Sequence, residues 1–135
     1  MLRQILAVAA GFITMSALVL ATEYALVRFF FPSLFDLGPL PPAYLLAYGV
    51  SSLFFATIGG CITAAISGRH EAPTVLGALL LGMGIGSLLM NRGNQPIWYA
   101  ATVPLLSALA ATIAGYRWLG RLPEEQAGPR KAGRR

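Results

Sequence analysis

Few residues of this chain could do chemistry, and Glu23 is the first of them. It lies near the end of a long apolar segment. A carboxylate within a membrane-crossing helix is costly, and such groups often mark a proton or cation pathway. Two cations are candidate partners for its charge, Arg28 five residues later and Arg92. We therefore take Glu23, Arg28 and Arg92 as candidate transport or ion-pair residues.

His70 and Glu71 form a second pair that could in principle exchange protons. Adjacent residues do not converge on one substrate, however, and no third group supports them, so we interpret the pair as part of a solvated turn. The sequence has no nucleophile with a base and no phosphate-binding loop. Its single cysteine, Cys61, excludes a disulfide within the chain and a cysteine cluster for zinc. We predict a non-enzymatic protein without catalytic residues, metal or cofactor.

The segments that must position these residues are apolar and long. Hydrophobic residues make up 56% of the 135 residues and charged residues 11%. Mean hydropathy is +0.67, whereas an ordinary soluble domain has about a quarter of its residues charged. Four uncharged stretches could each cross a hydrocarbon core of about 30 Å. They are Gln4 to Thr22, Pro41 to Gly68, Ala72 to Asn91, and Gly93 to Tyr116.

This pattern predicts an all-α fold, an integral membrane four-helix bundle with up-down-up-down topology. The transmembrane domain would cover residues 1–120. Its helices would span about 5–31, 43–67, 73–90 and 96–119. The connections on either side of the third helix are so short that consecutive helices must run antiparallel. Residues 121–135 combine prolines, glycines and charges, which predicts a basic tail that is mobile in water.

The distribution of basic residues predicts the orientation. Eight of the ten precede helix 1, lie between helices 2 and 3, or follow helix 4: Arg3, Arg69, Arg117, Arg121, Arg130, Lys131, Arg134 and Arg135. Arg28 and Arg92 fall on the other side. Cytoplasmic loops carry the excess of Lys and Arg, so both termini should be cytoplasmic in a multi-pass protein of the bacterial inner membrane. The net charge of +5 is then explained by the orientation of the chain in the membrane. It does not predict nucleic-acid binding. The tail would be attracted to anionic lipid headgroups, with a binding free energy of about 1 kcal/mol for each basic residue near the surface.

Small residues recur every four positions in three of the helices. The ladders are Ala56, Gly60, Ala64 and Gly68 in helix 2, Ala78, Gly82 and Gly86 in helix 3, and Ser107, Ala111 and Gly115 in helix 4. Such ladders let helix backbones approach closely where lipid supplies no hydrophobic drive for association. We predict that these residues pack helices together. The same ladders would serve in a homo-oligomer or against partner subunits of a membrane complex, and the sequence leaves both open.

The depth of Glu23 in the membrane bears on the choice between two functional hypotheses. Counting from Ile5, 18 residues at about 1.5 Å each place Glu23 about 27 Å along the helix axis, close to the outer edge of the core. Ser16 lies on the same face, seven residues earlier. The first hypothesis is a packing or accessory-subunit role through the glycine-lined helix faces, with Glu23 as a structural carboxylate. The alternative is a small transporter or channel subunit that uses Glu23.

Three segments carry a resemblance to known proteins: Arg3 to Val8, the pair Gly59–Gly60, and Gln95 to Tyr99. With these, residues 3–120 resemble uncharacterised small four-helix bacterial inner-membrane proteins, a likeness that implies the bundle and no activity. The chain is also similar in helix number to the small multidrug-resistance transporters, whose essential glutamate in helix 1 could correspond only to Glu23. That glutamate's surrounding signature residues are absent here, and the charge bias departs from the dual topology of some members.

Overall fold

The computed structural model describes residues 2–32, 40–90 and 96–121. These residues form four helices and no strand, which confirms the predicted all-α four-helix fold. The helices are α1 (Leu2–Ala25, continued by one π-helical turn, Leu26–Phe30), α2 (Pro42–Ser67), α3 (Glu71–Met90) and α4 (Ile97–Leu119). Each is long and apolar enough to cross a membrane. The predicted tail lies almost wholly outside the described residues.

Two hydrogen bonds show that the helices alternate in direction. The Arg3 Nε donates to the Ile66 carbonyl oxygen over 2.8 Å, which joins the start of α1 to the end of α2. The hydroxyls of Thr74 and Tyr116 lie 3.1 Å apart, which joins the start of α3 to the end of α4. We call this end of the bundle the basic end, because it carries Arg3, Arg69, Arg117 and Arg121. The opposite end, where α1 and α3 finish and α2 and α4 begin, is the distal end.

The closest helix contact joins α2 and α4, which run parallel although α3 separates them in sequence. Gly60 meets Ala111: a Cβ at position 60 would lie 2.7 Å from the Ala111 carbonyl carbon and would collide with its oxygen. Most of the small residues predicted in these two helices are buried with Gly60. They are Ala56, Ala64, Ser107, Ala111 and Gly115. Bare backbone on both helices therefore allows the approach.

A second face of α2 receives α1. A Cβ at Gly11 would lie 2.6 Å from the Gly59 carbonyl oxygen and would collide with the Thr63 hydroxyl. That hydroxyl donates to the Ala7 carbonyl oxygen over 3.3 Å, across the two helices. Because Gly59 and Gly60 are neighbours on α2, one serves α1 and the other serves α4. The pair thus makes α2 the central helix of the bundle.

The prediction for α3 was wrong within this chain. Ala78 and Gly82 are exposed, and a Cβ added at Gly82 or Gly86 would meet nothing within 4 Å. The buried small residues of this helix are instead Ala72, Gly77 and Gly84. A helix this rich in small residues offers two such faces, and spacing alone does not say which one meets a neighbour.

Gly77 and Gly84 form the face of α3 that packs against α4. A Cβ at Gly77 would lie 3.0 Å from the Ala108 carbonyl oxygen. A Cβ at Gly84 would lie 2.6 Å from the Pro104 Cγ and would collide with the Pro104 Cβ. The Pro104 ring therefore fits against the bare backbone of Gly84, and α3 packs mainly on α4.

Gly68 also departs from its predicted packing role. It is exposed, and a Cβ there would have nothing within 4 Å. Gly68 instead ends α2 with a left-handed backbone, φ 65°, and its amide donates to the Ala64 carbonyl oxygen over 2.9 Å. Only glycine adopts this conformation without a Cβ penalty. The packing ladder of α2 therefore stops at Ala64.

Candidate functional site

A cleft of about 480 Å³ lies between the four helices in the distal half of the bundle. We call it the distal cleft. Every helix contributes to its lining, with Ser16 and Val19 from α1, Ser52 from α2, Gly84 from α3 and Ser107 from α4 among the lining residues. Leu20 and Met83, on α1 and α3, also line it and are 64% and 56% exposed. The cleft is therefore open to the side, between α1 and α3.

The cleft exists because the bundle is tightly filled only towards the basic end. There a buried cluster joins three helices, and α1 packs against it with partly buried apolar side chains. The cluster comprises Ala56, Leu76, Leu80, Ala108 and Ala111, and the side chains of α1 are Val8, Phe12 and Met15. Phe12, Met15 and Leu80 also line the cleft. These three residues form its inner boundary, beyond which α1 and α3 leave space between them.

The polar groups of the cleft are mostly hydroxyls. The Ser52 hydroxyl donates to the Tyr48 carbonyl oxygen over 2.8 Å and is thereby satisfied. Tyr99 is 5% exposed, and its hydroxyl is buried without a hydrogen-bond partner among the described residues. A buried, unpaired hydroxyl costs free energy, so the molecule gains if a bound group or a water supplies a partner. Tyr99 lies across Gly49 of α2, where a Cβ would stand 3.4 Å from its hydroxyl oxygen.

Pro104 adds a second feature to the α4 wall. Proline has no amide hydrogen, so the helical hydrogen bond to the Ala100 carbonyl is missing. Both Ala100 and Pro104 line the distal cleft. The interruption in the backbone hydrogen bonding of α4 therefore lies at the cleft wall, within a lining that is otherwise largely apolar.

Glu23 lies one helical turn beyond the α1 residues that line the cleft. It follows Val19 by four residues and Ser16 by seven, and α1 keeps its α-helical form through Ala25, so all three share one face. Glu23 is half-buried. The sequence-predicted carboxylate thus shares the cleft-lining face of α1 but lies outside the lining itself.

The predicted cations are placed differently. Arg28 is exposed and lies on the π-helical turn, in which Phe31 donates to the Leu26 carbonyl oxygen over 2.9 Å, five residues back. A regular α-helix was predicted through this turn, whereas the structure has the wider π geometry there. Arg92 lies outside the described residues. The structure therefore leaves Arg28 on the surface.

The His70–Glu71 pair is engaged in contacts at the basic end. The His70 ring stacks on Tyr116, with ring centroids 5.1 Å apart and an interplanar angle of 16°. The Glu71 carboxylate accepts a hydrogen bond from the Gln4 amide over 3.2 Å. The two side chains thus contact different helices. Among the described residues, no group of three or more His, Cys, Asp or Glu side chains could hold a metal ion.

Sequence reasoning found Glu23 but missed the cleft. Tyr48 and Tyr99 are of a type common near membrane interfaces, and Ser52 and Ser87 carry no signal of their own. Pro104 was the one available clue, because a proline inside a helix removes a backbone hydrogen bond. Comparison with protein-family models, curated proteins and solved structures finds no match for this chain. Its function is therefore argued from the distal cleft and Glu23.

Proposed function

We propose that this chain is a non-enzymatic multi-pass protein of the bacterial cytoplasmic membrane, an accessory subunit that holds a small hydrophobic molecule in the distal cleft. The observation that carries the proposal is the cleft itself, about 480 Å³ and lined by all four helices. Small-molecule sites typically enclose about 300–1,000 Å³ and combine an apolar lining with a few polar groups. We also propose that the chain is related to the small four-helix bacterial inner-membrane proteins that it resembles.

The glycine contacts support this role by fixing the walls of the cleft. Gly60 holds α2 against α4, Gly11 and Gly59 hold α1 against α2, and Gly84 seats the Pro104 ring of α4 on α3. Close backbone contacts leave few alternative packings, because helix interfaces are as densely packed as protein cores. The space between α1 and α3 is therefore a fixed property of the bundle.

We further propose that the basic end is cytoplasmic and the distal end faces outward. The support is the placement of Arg3, Arg69, Arg117 and Arg121 at one end of the described structure. Single cysteines at positions 70 and 96, in a Cys61→Ala background, test this orientation. An impermeant maleimide should label position 96 in intact cells and position 70 only after permeabilisation. Labelling of both from one side would contradict the four-crossing topology.

A small photoreactive phenyldiazirine tests the cleft in membranes containing the full chain. We expect saturable labelling of residues that line the cleft, mapped by mass spectrometry of the digested protein. Ser87→Phe should abolish the saturable component, because Ser87 lines the cleft beside its opening. Leu89→Phe is the matched control, since Leu89 is 82% exposed on the same helix. Labelling that does not saturate, or that Ser87→Phe leaves unchanged, would refute a binding site in the distal cleft.

A second candidate function is a small transporter or channel subunit that uses Glu23. The observation that favours it is the position of this half-buried carboxylate one helical turn beyond the cleft lining. Carboxylates within membrane helices commonly serve proton or cation pathways. This candidate requires proton-coupled flux in reconstituted vesicles that Glu23→Gln abolishes while the protein stays folded. Vesicles without such flux would exclude it and leave the binding role.

A further inference from the structure

We propose that the ligand of the distal cleft is an uncharged molecule whose carbonyl oxygen accepts a hydrogen bond from the Ser107 hydroxyl of α4. This inference rests on the proposed binding function and adds the chemical class of the ligand. It joins three observations: a lining without charged side chains, a buried serine in that lining, and an opening on the side of the bundle. Each bears on a different property of the ligand.

The lining of the cleft favours a ligand without charge. None of the lining residues has a charged side chain, and the hydroxyls come from Ser16, Tyr48, Ser52, Ser87, Tyr99 and Ser107. An ion buried away from water is costly unless an opposite charge compensates it. An ionised ligand would find no such charge in the lining. A neutral ligand avoids this cost and still has hydroxyls to bind.

Ser107 supplies a hydrogen-bond donor in this lining. It is 4% exposed. On the same helix the hydroxyls of Thr102 and Thr112 donate to backbone carbonyl oxygens four residues back, over 2.7 and 2.8 Å. The Ser107 hydroxyl makes no such bond, nor any other hydrogen bond among the described residues. A buried hydroxyl without a partner costs free energy, which a bound acceptor would recover.

The other deeply buried hydroxyls of the cleft are less suited to bind a ligand. Ser52 donates its only hydroxyl proton to the Tyr48 carbonyl oxygen over 2.8 Å. The Tyr99 hydroxyl is unpaired among the described residues, but it is buried against Gly49 of α2. Ser107 therefore combines deep burial in the lining with a proton that is not already donated.

A carbonyl oxygen satisfies this donor without adding an unpaired group of its own, because it accepts hydrogen bonds and donates none. An alcohol or an amine would bring a donor that needs a further acceptor. A hydrocarbon would leave the Ser107 hydroxyl unpaired. A carbonyl group on an apolar body is therefore the simplest complement to one buried donor in a largely apolar cleft.

The position of Ser107 and the opening of the cleft both fit a ligand that arrives through the lipid. Ser107 is close to the middle of α4 (Ile97–Leu119), so it lies near the middle of the bilayer, where bulk water does not supply the missing partner. Leu20 and Met83 flank the opening and are largely exposed on the bundle surface. An uncharged apolar molecule dissolves in the hydrocarbon region, which an ion avoids.

Benzophenone and diphenylmethane test the proposal, because the first has a carbonyl group where the second has a methylene. The full chain is held in micelles of an uncharged detergent, and binding is measured by equilibrium dialysis against protein-free micelles. We expect both molecules to bind saturably, and benzophenone to bind about tenfold more tightly through its hydrogen bond. Ser107→Ala should reduce benzophenone binding to the level of diphenylmethane and leave diphenylmethane binding unchanged.

Ser52→Ala is the matched control, because it makes the same substitution in the same cleft at a hydroxyl that already donates to the Tyr48 carbonyl oxygen. It should preserve the preference for benzophenone. Ser87→Phe should abolish the binding of both molecules by filling the cleft. Circular dichroism and gel filtration verify that each variant is folded.

Competition with dioctanoylglycerol, an uncharged lipid with ester carbonyls, distinguishes two sources of the carbonyl group. Displacement of benzophenone would support a lipid ester as the ligand. Selective benzophenone binding that the lipid does not displace would support a free ketone.

Three results would contradict the proposal. Equal binding of benzophenone and diphenylmethane, both lost in Ser87→Phe, would overturn the carbonyl ligand and leave the hydrophobic binding site standing. A preference for benzophenone that survives Ser107→Ala would overturn the assignment of Ser107 as the donor. Absence of saturable binding of either molecule would overturn both this inference and the proposed binding function.

Discussion

Replacing Gly60 by alanine should loosen the contact between α2 and α4, and the structure sets the size of the effect. The added Cβ would lie 2.7 Å from the Ala111 carbonyl carbon and 2.8 Å from its Cα. Carbon atoms attract best at about 3.5–4.0 Å, so the two helices would have to separate by about 0.8 Å. A gap of that size forfeits about a quarter to a half of the dispersion energy between facing atoms. We expect a loss of about 1–3 kcal/mol in the free energy of unfolding, as for other overpacked cores.

Reversible unfolding in mixed micelles, followed by circular dichroism, measures this loss. Gly82→Ala is the matched control, because it makes the same substitution on α3 where a Cβ meets nothing within 4 Å. Alanine has the higher helix propensity, by up to about 1 kcal/mol in water, so the control should be neutral or slightly stabilising. If Gly60→Ala and Gly82→Ala have the same effect, the close α2–α4 contact does not stabilise the bundle and the packing argument fails.

Four further substitutions test other features of the bundle. Thr63→Val removes the hydrogen bond to the Ala7 carbonyl and should cost about 0.6 kcal/mol, the average for such bonds in membranes; a loss above about 2 kcal/mol in the same unfolding assay would show that packing dominates. Gly84→Ala should destabilise by about 1–3 kcal/mol, and Pro104→Gly in the same chain should recover part of the loss, because the conflicting ring is gone; purely additive effects would contradict the contact. Glu23→Gln should leave the chain folded and inserted, since the amide keeps the shape and loses only the charge; aggregation during purification would instead indicate a structural ion pair.

The all-α architecture was predictable because it follows from length and polarity. Backbone groups in lipid must be satisfied internally, which leaves helices as the simple solution for stretches of 20 or more apolar residues. The packing of α2 could also be predicted from the sequence, because Ala56, Gly60 and Ala64 recur on one face. All three are buried in the structure.

The packing of α3 was not predictable in the same way. Gly77, Gly82, Gly84 and Gly86 place bare backbone on more than one side of the helix. Which side meets α4 depends on the Pro104 ring, which needs a hollow opposite it and finds one at Gly84. That requirement is a property of two helices together, so the sequence of one helix could not reveal it.

The distal cleft was invisible in the sequence for a related reason. A cavity is defined by where side chains fail to meet, and no residue pattern encodes that directly. Glu23 was found because a carboxylate is conspicuous among apolar residues, whereas Tyr99 resembles any interfacial aromatic until its hydroxyl is seen to be buried and unpaired. The chemistry of the candidate site was therefore partly predictable, and its shape was not.

The parallel contact between α2 and α4 has a consequence for biogenesis. During synthesis α2 enters the membrane before α4 exists, and two further crossings must be completed before Gly60 can meet Ala111. Until then the glycine face of α2 is open to lipid and to other proteins. A nascent chain that ends after α3 would leave this face of α2 without its partner helix. The arrival of the last helix is thus the step that conceals it.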